Sequence, residues 1–244
     1  MSDFFKKITQ ISLVFISIMT FQVAFGQTSS GVDIIVEPSS YIPQLYKGKP
    51  LFASQGTARI IAVPNIFVNG RKVSSKNLIF KWTKDDTVIS SDTNTDSITI
   101  NGSVPIRDIN IDVQVLDSSG NILAENSRLI SVNNPKILLY ENNSLYGVLL
   151  NRALVGNYSL GNKEELSVVA KPYFFDITGQ AGDDIDYKWS VNGNPFSSSD
   201  KKNELILRQT NTGGMGSVSV SVDVNNLSRI FQFSNTSFGL SFGQ

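Results

Sequence analysis

The sequence predicts an all-β protein in which two β-sandwich domains follow an N-terminal leader. A pattern centred on the chain's two tryptophans occurs twice in the same order, and each copy contains a segment of strict apolar/polar alternation. No segment after the leader keeps the 3.6-residue period of an amphipathic helix. The length of 244 residues suits two domains of ordinary size.

The first 26 residues have the features of a secretory signal peptide. Lys6 and Lys7 precede an apolar stretch at 8–25, and Ala24 and Gly26 are the small residues expected before a cleavage site. Cleavage after Gly26 would release an exported chain. The alternative is a membrane anchor formed by 8–25, although polar residues interrupt that stretch. We expect an extracellular or cell-envelope location.

A short motif surrounds each tryptophan. Residues 78–83 and 185–190 both read apolar, any residue, aromatic, lysine, tryptophan, hydroxyl. Side chains two positions apart on a strand share a face, so each tryptophan should point the same way as the aromatic before it. We therefore expect four residues to form the centres of two hydrophobic cores: Trp82, Trp189, Phe80 and Tyr187.

Other segments of the two copies also align. Residues 109–115 and 218–224 alternate isoleucine or valine with polar residues, as expected of a half-buried strand. Residues 58–67 align without a gap with 166–175 and are apolar at the same alternate positions. The alignment predicts that Phe174 points into the second core.

The boundary between the copies falls at Asn133-Asn134-Pro135. It divides the mature chain into a first domain at 32–133 and a second domain at 134–244. The linker is short and contains proline, so we expect a stiff junction with little hinge motion.

The composition excludes several kinds of chemistry. The chain has no cysteine and no histidine, so it has no disulfides, no thiolate site and no histidine-based catalytic triad. Lysine plus arginine equals aspartate plus glutamate at 21 each, which argues against nucleic acid as a partner. We expect no cofactor, and contact with a membrane only through an uncleaved leader.

The second copy contains Tyr187-Lys188-Trp189-Ser190-Val191-Asn192-Gly193, and the first a degraded version at 80–86. This Tyr-x-Trp-x-x-Asn-Gly pattern resembles the bacterial Ig-like and PKD-like superfamily. The resemblance implies two tandem Ig-like (PKD-like) β-sandwich domains. It also implies binding, spacing or adhesion at the cell envelope, and it carries no catalytic residues.

One candidate partner surface comes from comparing the copies. Tyr173 and Val169 occupy positions that face away from the core, where an aromatic with an apolar neighbour can bind a partner or a sugar. The alternatives are incidental surface apolarity and contact between the two domains.

One candidate metal site is acidic. Asp183, Asp184 and Asp186 cluster before the second tryptophan strand and could supply oxygen ligands to Ca²⁺. The alternative is an ordinary solvated turn, because no EF-hand spacing is present.

These observations favour a non-enzymatic interaction or structural protein, such as a spacer, an adhesin-like module or a subunit of a surface assembly. The expected partner is an envelope or extracellular protein, or a glycan. A pair of carbohydrate-binding modules is the main alternative, and a carboxylate-based hydrolase is a weaker one.

Overall fold

The computed structural model of the protein describes residues 30–177, 184–209 and 214–243. Within these ranges the regular structure is β-strand, apart from one 3₁₀ turn at Ser75–Asn77. None of the described segments forms a helix long and apolar enough to cross a membrane. The predicted all-β fold class is confirmed.

The first domain consists of two facing antiparallel sheets and a small hairpin. Its strands are β1 (Gly31–Pro38), β2 (Thr57–Asn65), β3 (Phe67–Val68), β4 (Arg71–Lys72), β5 (Ile79–Lys84), β6 (Thr87–Thr93), β7 (Ser97–Asn101), β8 (Ile109–Leu116) and β9 (Ile122–Ile130). One sheet has the order β1-β2-β7 and the other β6-β5-β8-β9, while β3 and β4 form the hairpin. This is a sandwich of the Ig-like class.

The second domain repeats this plan with additions. Its strands are β10 (Lys136–Asn143), β11 (Gly147–Ala153), β12 (Gly156–Ser159), β13 (Glu165–Tyr173), β14 (Ile185–Val191), β15 (Asn194–Pro195), β16 (Glu204–Arg208), β17 (Gly216–Asn226) and β18 (Phe233–Phe242). The sheet orders are β11-β10-β13-β16 and β12-β18-β17-β14-β15. Strand β12 pairs in parallel with β18.

Each domain has its own core, centred on its tryptophan. Trp82 and Phe80 are fully buried, Trp189 is buried, and Tyr187 is half-buried against the second core. The indole N–H groups donate to backbone oxygens at equivalent places, Trp82 to Thr95 at 2.9 Å and Trp189 to Lys202 at 3.0 Å. The two copies therefore match in the hydrogen bond of the indole N–H as well as in the burial of the ring.

The alternating segments supply one wall of each core. Strand β8 buries every second side chain, and strand β17 does the same over its later half. Strand β5 pairs with β8 so that Trp82 lies opposite Val113, and β14 pairs with β17 so that Trp189 lies opposite Val222. Residues directly opposite in an antiparallel pair share a face, so each ring packs beside this wall.

Two-residue turns follow both tryptophan strands. Asp85-Asp86 joins β5 to β6, and Asn192-Gly193 joins β14 to β15, with all four residues at positive φ. This is the geometry of a type I′ turn, which matches the twist of a hairpin and which aspartate, asparagine and glycine tolerate. The shared motif thus encodes the turn as well as the core residue.

The prediction that Phe174 faces the second core is wrong. Its φ of 63° ends the alternation of β13, and the next residue, Phe175, enters the core instead. Phe174 packs with Tyr140 and Tyr173 in a third, smaller apolar cluster. A gap-free alignment could not reveal a reversal that depends on one backbone angle.

Candidate functional site

The prediction that Tyr173 and Val169 form an exposed platform is wrong. Their exposed fractions are only 8% and 6%. Tyr173 does belong to the face of β13 that points away from the main core, but that face is covered. Its ring makes an edge contact with Tyr46 of the first domain at 5.5 Å, and Tyr46 also contacts Phe174 at 5.9 Å. The contact is therefore one between domains.

The segment that covers this face is the loop between β1 and β2, residues 39–56, here called the junction loop. Backbone groups of Tyr41 bond with the end of β13 in both directions: its N–H donates to Phe175 O, and its C=O accepts from Phe174 N–H, both at 2.7 Å. Two such bonds fix the junction loop on the second domain as a short additional strand would.

Burial also affects Tyr173, which lies beneath the junction loop. Desolvation, with the hydrogen bond between the Tyr140 and Tyr173 hydroxyls at 2.8 Å, raises the pKa of Tyr173 above its ordinary value. Ile42 of the junction loop packs against the same cluster. The junction thus has an apolar centre closed to solvent, with its polar hydroxyls paired.

A second contact lies between the junction loop and the turn from β17 to β18. Gln232 is fully buried; its Nε2 donates to Ser54 O at 2.7 Å, and its Oε1 accepts from Asp176 N–H at 2.8 Å and from Asn226 Nδ2 at 2.9 Å. Gln55 Oε1 accepts from Phe231 N–H at 2.9 Å. This network satisfies buried polar groups of both domains at once.

The linker is tied to the same junction loop. Asn133 donates its N–H to Phe52 O at 2.8 Å and accepts from Ser54 N–H at 3.3 Å. Phe52 itself belongs to the first core. The junction loop, linker and second domain therefore form one continuous packed contact between the two sandwiches.

The predicted calcium ligands are only partly within the described residues. Asp183 lies outside them. Asp186 pairs with Lys188 at 3.6 Å, and the backbone oxygen of Asp184 accepts from Leu227 N–H at 2.8 Å. No cluster of three or more potential metal ligands occurs in the part of the chain that the structure describes.

Two carboxylates share a shallow depression of about 480 Å³ on the outer face of the first domain, lined in part by Asp112, Glu125 and Lys81. Asp112 accepts from Asn110 Nδ2 at 3.1 Å, and Glu125 from Gln114 Nε2 at 3.2 Å. A glycosidase needs one of its two carboxyl groups protonated in an apolar setting. The depression is open to solvent, and the hydrogen bonds to its two carboxylates come from amide groups.

Large exposed apolar groups mark the end of the second domain that is remote from the junction. The hairpin between β10 and β11 carries Leu145 and Tyr146 at its tip, with exposed fractions of 83% and 80%. The side chain of Asn143 fixes this tip, because its Oδ1 accepts the N–H groups of Leu145 at 2.9 Å and Tyr146 at 3.2 Å. Gly147 closes the turn at a φ of 71°.

An apolar cleft of about 490 Å³ opens at the same end of the domain. Its walls include Leu160, Phe196, Leu207, Met215 and Phe242. The strand pairing places it there: Phe242, the last residue of β18, lies opposite Gly216, the first of β17. Apolar side chains around a cleft are typical of binding sites.

A charged cluster borders this end. Lys163 Nζ donates to Glu141 Oε1 at 2.5 Å and to the Tyr158 hydroxyl at 2.9 Å, and that hydroxyl donates to Glu141 Oε2 at 2.7 Å. Burial alone would raise the pKa of Glu141, but the bonds from Lys163 and Tyr158 outweigh it and lower the pKa. The charges neutralise each other beside the apolar surface.

Sequence reasoning missed the exposed hairpin tip. A signal was present, since Leu145 and Tyr146 stand between Asn143 and Gly147, where a turn normally carries polar residues. This hairpin occurs in the second copy and not in the first, so comparing the two copies could not reveal it.

Comparisons with known proteins give distant structural neighbours. No family model matches the chain, and no curated protein matches it. Among solved structures, three N-terminal domains of the bacteriophage RB49 highly immunogenic outer capsid protein (Hoc) match with a TM-score of 0.45 and 12% identity; the match covers 88% of this chain and 59% of that one.

Two further neighbours have lower scores. Fibronectin(III)-like modules of Clostridium thermocellum CbhA match with a TM-score of 0.29 and 17% identity, over 86% of this chain and 93% of that one. The FN1-FN3 domains of chicken CNTN1 match with a TM-score of 0.30 and 10% identity, over 88% and 68%. With scores this low, the fold class rests on the chain's own strand pairing: the protein is an all-β tandem of two Ig-like sandwiches.

Proposed function

We propose that this protein is a non-enzymatic interaction or structural module of the cell envelope or extracellular space, which binds a protein partner through the free end of its second domain. The observation that carries this proposal is the hairpin tip with Leu145 and Tyr146, both exposed on a turn that is fixed by Asn143. A preorganised tip loses little conformational entropy on binding.

The surface next to the hairpin tip also favours this end of the second domain as the region that contacts a partner. The apolar cleft can receive a side chain of a partner, and the Glu141–Lys163 pair supplies a polar border. An apolar centre with a polar rim is the usual composition of a protein interface. Glycan binding loses its earlier support, because Tyr173 is buried.

The junction suits a structural role. Because the junction loop and linker fix the second domain on the first, the binding end is held at a defined distance from the N-terminal end. A rigid two-domain unit acts as a spacer without paying the entropy of a flexible linker.

The N-terminal leader supports the proposal that the protein is exported. If residues 1–26 are a cleaved signal peptide, the protein isolated from its native cells begins at Gln27. Intact-mass measurement of the isolated protein tests this. A chain that retains residues 8–25 and fractionates with membranes would instead establish the anchor.

The partner surface can be tested with paired variants. Leu145→Ser with Tyr146→Ser should reduce capture of the native partner by about 10–100-fold, because exposed anchors carry most of the binding energy of an interface. Capture is quantified by surface crosslinking and mass spectrometry. The control, Ile122→Ser with Leu129→Ser, changes two exposed apolar residues of the first domain.

The control variant should capture the partner at the level of the native chain. Equal capture by the Leu145/Tyr146 variant would contradict the proposed surface. An enzymatic turnover by the purified protein that survives the tip substitutions would contradict the non-enzymatic function.

A further inference from the structure

The tip of the junction loop presents a leucine to solvent in an unusual backbone conformation. Tyr46 N–H donates to Pro43 O at 3.1 Å and closes a tight turn, in which Leu45 is the third residue and has a φ of 71°. That position of such a turn requires a positive φ, which glycine normally supplies. The Leu45 side chain is 82% exposed, so it gains little from packing within the described structure to offset its strained backbone.

Tyr46 holds this tip in place. Its ring makes edge contacts with Tyr173 and Phe174. The ring also lies against Gly48, where a Cβ atom would come within 2.5 Å of the Cζ atom of Tyr46. Glycine at position 48 therefore leaves room for the ring. The ring and the turn together fix Leu45 on the outside of the junction.

Four lysines border the tip. Lys47 and Lys49 are exposed residues of the junction loop, and Lys136 and Lys171 lie on the outward face of β10 and β13. Lys136 is opposite Tyr173, and Lys171 precedes Tyr173 by two residues on the same face. These two lysines are therefore diagonal neighbours, within reach of each other's long side chains. We call the four lysines and the leucine at the tip the lysine surface.

These lysines have no acidic partner within ion-pair distance in the part of the chain that the structure describes. The ion pairs found there use other basic residues, namely Arg107, Lys163, Lys188, Lys201, Arg208 and Arg229. Glu37 lines the same depression as Lys49, but it lies opposite Arg59 in the pairing of β1 with β2. Like charges held close together repel each other, and an anionic partner relieves that repulsion.

We propose that the lysine surface binds an anionic lipid membrane, with Leu45 entering the boundary between headgroups and acyl chains and the lysines contacting headgroup phosphates. A protruding apolar side chain flanked by lysines is typical of interfacial membrane contacts, in which apolar burial and attraction to anionic lipid act together. This contact does not need the leader, which is the only membrane contact that the sequence predicts.

A protein partner or a soluble acidic chain fits this surface less well. Lysine is depleted at protein interfaces, and leucine is under-represented among the residues that dominate their binding energy. Leu45 projects from a turn and lines neither the apolar cleft of the second domain nor the depression beside β1. A soluble acidic chain would use the lysines and leave Leu45 in water, whereas a lipid surface uses both kinds of group.

The lysines are tested by co-sedimentation of the chain from Gln27 onward with vesicles of phosphatidylcholine, either alone or with one-third phosphatidylglycerol. The native chain should bind the anionic vesicles at least about 10-fold more tightly, and added salt should weaken this binding. Lys47→Gln with Lys49→Gln should weaken it by about 10-fold. The matched control, Lys72→Gln with Lys76→Gln, removes two exposed lysines at the opposite end of the first domain and should bind like the native chain.

Leu45→Gly separates membrane binding from folding. Glycine adopts the positive φ of this turn freely, so the variant should keep the urea midpoint of the native chain. It should nevertheless bind anionic vesicles about 5–10-fold more weakly, because it lacks the side chain that enters the lipid. The control, Leu145→Ser with Tyr146→Ser, removes exposed apolar groups from the free end of the second domain and should bind vesicles like the native chain.

Four results would overturn the proposal. The native chain could fail to bind anionic vesicles, or Leu45→Gly could bind them as tightly as the native chain. The two lysine variants could lose binding equally, which would reduce the effect to net charge. Equally tight binding to soluble polyglutamate, unaffected by Leu45→Gly, would assign the lysines to an acidic protein instead.

Discussion

Trp82→Ala should destabilise the first domain by about 3–5 kcal/mol, and Trp189→Ala the second by a similar amount. Each ring is buried at the centre of its sandwich, and each indole N–H has a backbone acceptor inside the fold. Removing the indole ring leaves a cavity between the two sheets and a backbone oxygen without its hydrogen-bond donor. Urea unfolding followed by circular dichroism measures the change.

A matched control distinguishes the loss of a buried ring from the loss of an aromatic side chain as such. Tyr146→Ala removes a large ring that is almost fully exposed, so it should change the free energy of unfolding by no more than about 0.5 kcal/mol. If Trp82→Ala and Tyr146→Ala had similar small effects, the tryptophan would not be the centre of the first core.

Gln232→Ala should lower the free energy of unfolding by about 2–5 kcal/mol. The substitution removes the acceptor of Asp176 N–H and the donor to Ser54 O in a place closed to water. The bond to Ser54 crosses between the domains, so its loss weakens their coupling as well as the second domain. We expect one unfolding transition for the native chain and two separate ones for the variant.

The control for this prediction is Gln114→Ala. Gln114 also makes a side-chain hydrogen bond, to Glu125 at 3.2 Å, but on the solvated face of the first domain. Its loss should cost no more than about 0.5 kcal/mol and leave a single transition. Coincident unfolding of both domains in Gln232→Ala would mean that other contacts alone couple them.

The sequence predicted those parts of the fold that occur twice. The tryptophan strands and the strands that alternate beside them follow the local rule of period. The turns at Asp85-Asp86 and Asn192-Gly193, which the sequence analysis did not predict, follow the local rules of turn chemistry. Comparing two copies made the inward face of each strand visible. The error at Phe174 came from one left-handed residue, which changes the face without changing the hydrophobic pattern.

The functional surfaces could not be predicted in this way because they occur once. The junction loop has no counterpart in the second domain that lies over a neighbour, so its contacts with Phe174 and Gln232 depend on tertiary placement. Tyr173 was correctly expected to point away from the main core, but a sequence does not show what covers an outward face. The hairpin tip at Leu145 lies between β10 and β13, where the first copy has the junction loop in place of a hairpin.

The strands that follow the two tryptophan strands, β6 and β15, differ in length. The segments after both tryptophans begin with the same kind of two-residue turn, yet one continues for seven residues, six of them exposed, and the other stops at Pro195. How far an edge strand extends depends on individual residues such as Pro195, which cannot donate to a sheet ladder and which the shared hydrophobic pattern does not record.

The most direct measurement of how the junction loop fixes the domains is backbone ¹⁵N relaxation of the chain from Gln27 onward, analysed for each sandwich separately. The contacts of Tyr41, Tyr46 and Gln232 predict that both sandwiches report a single rotational diffusion tensor, as one rigid body does. Two tensors with different correlation times, each fitting one sandwich, would contradict the fixed arrangement.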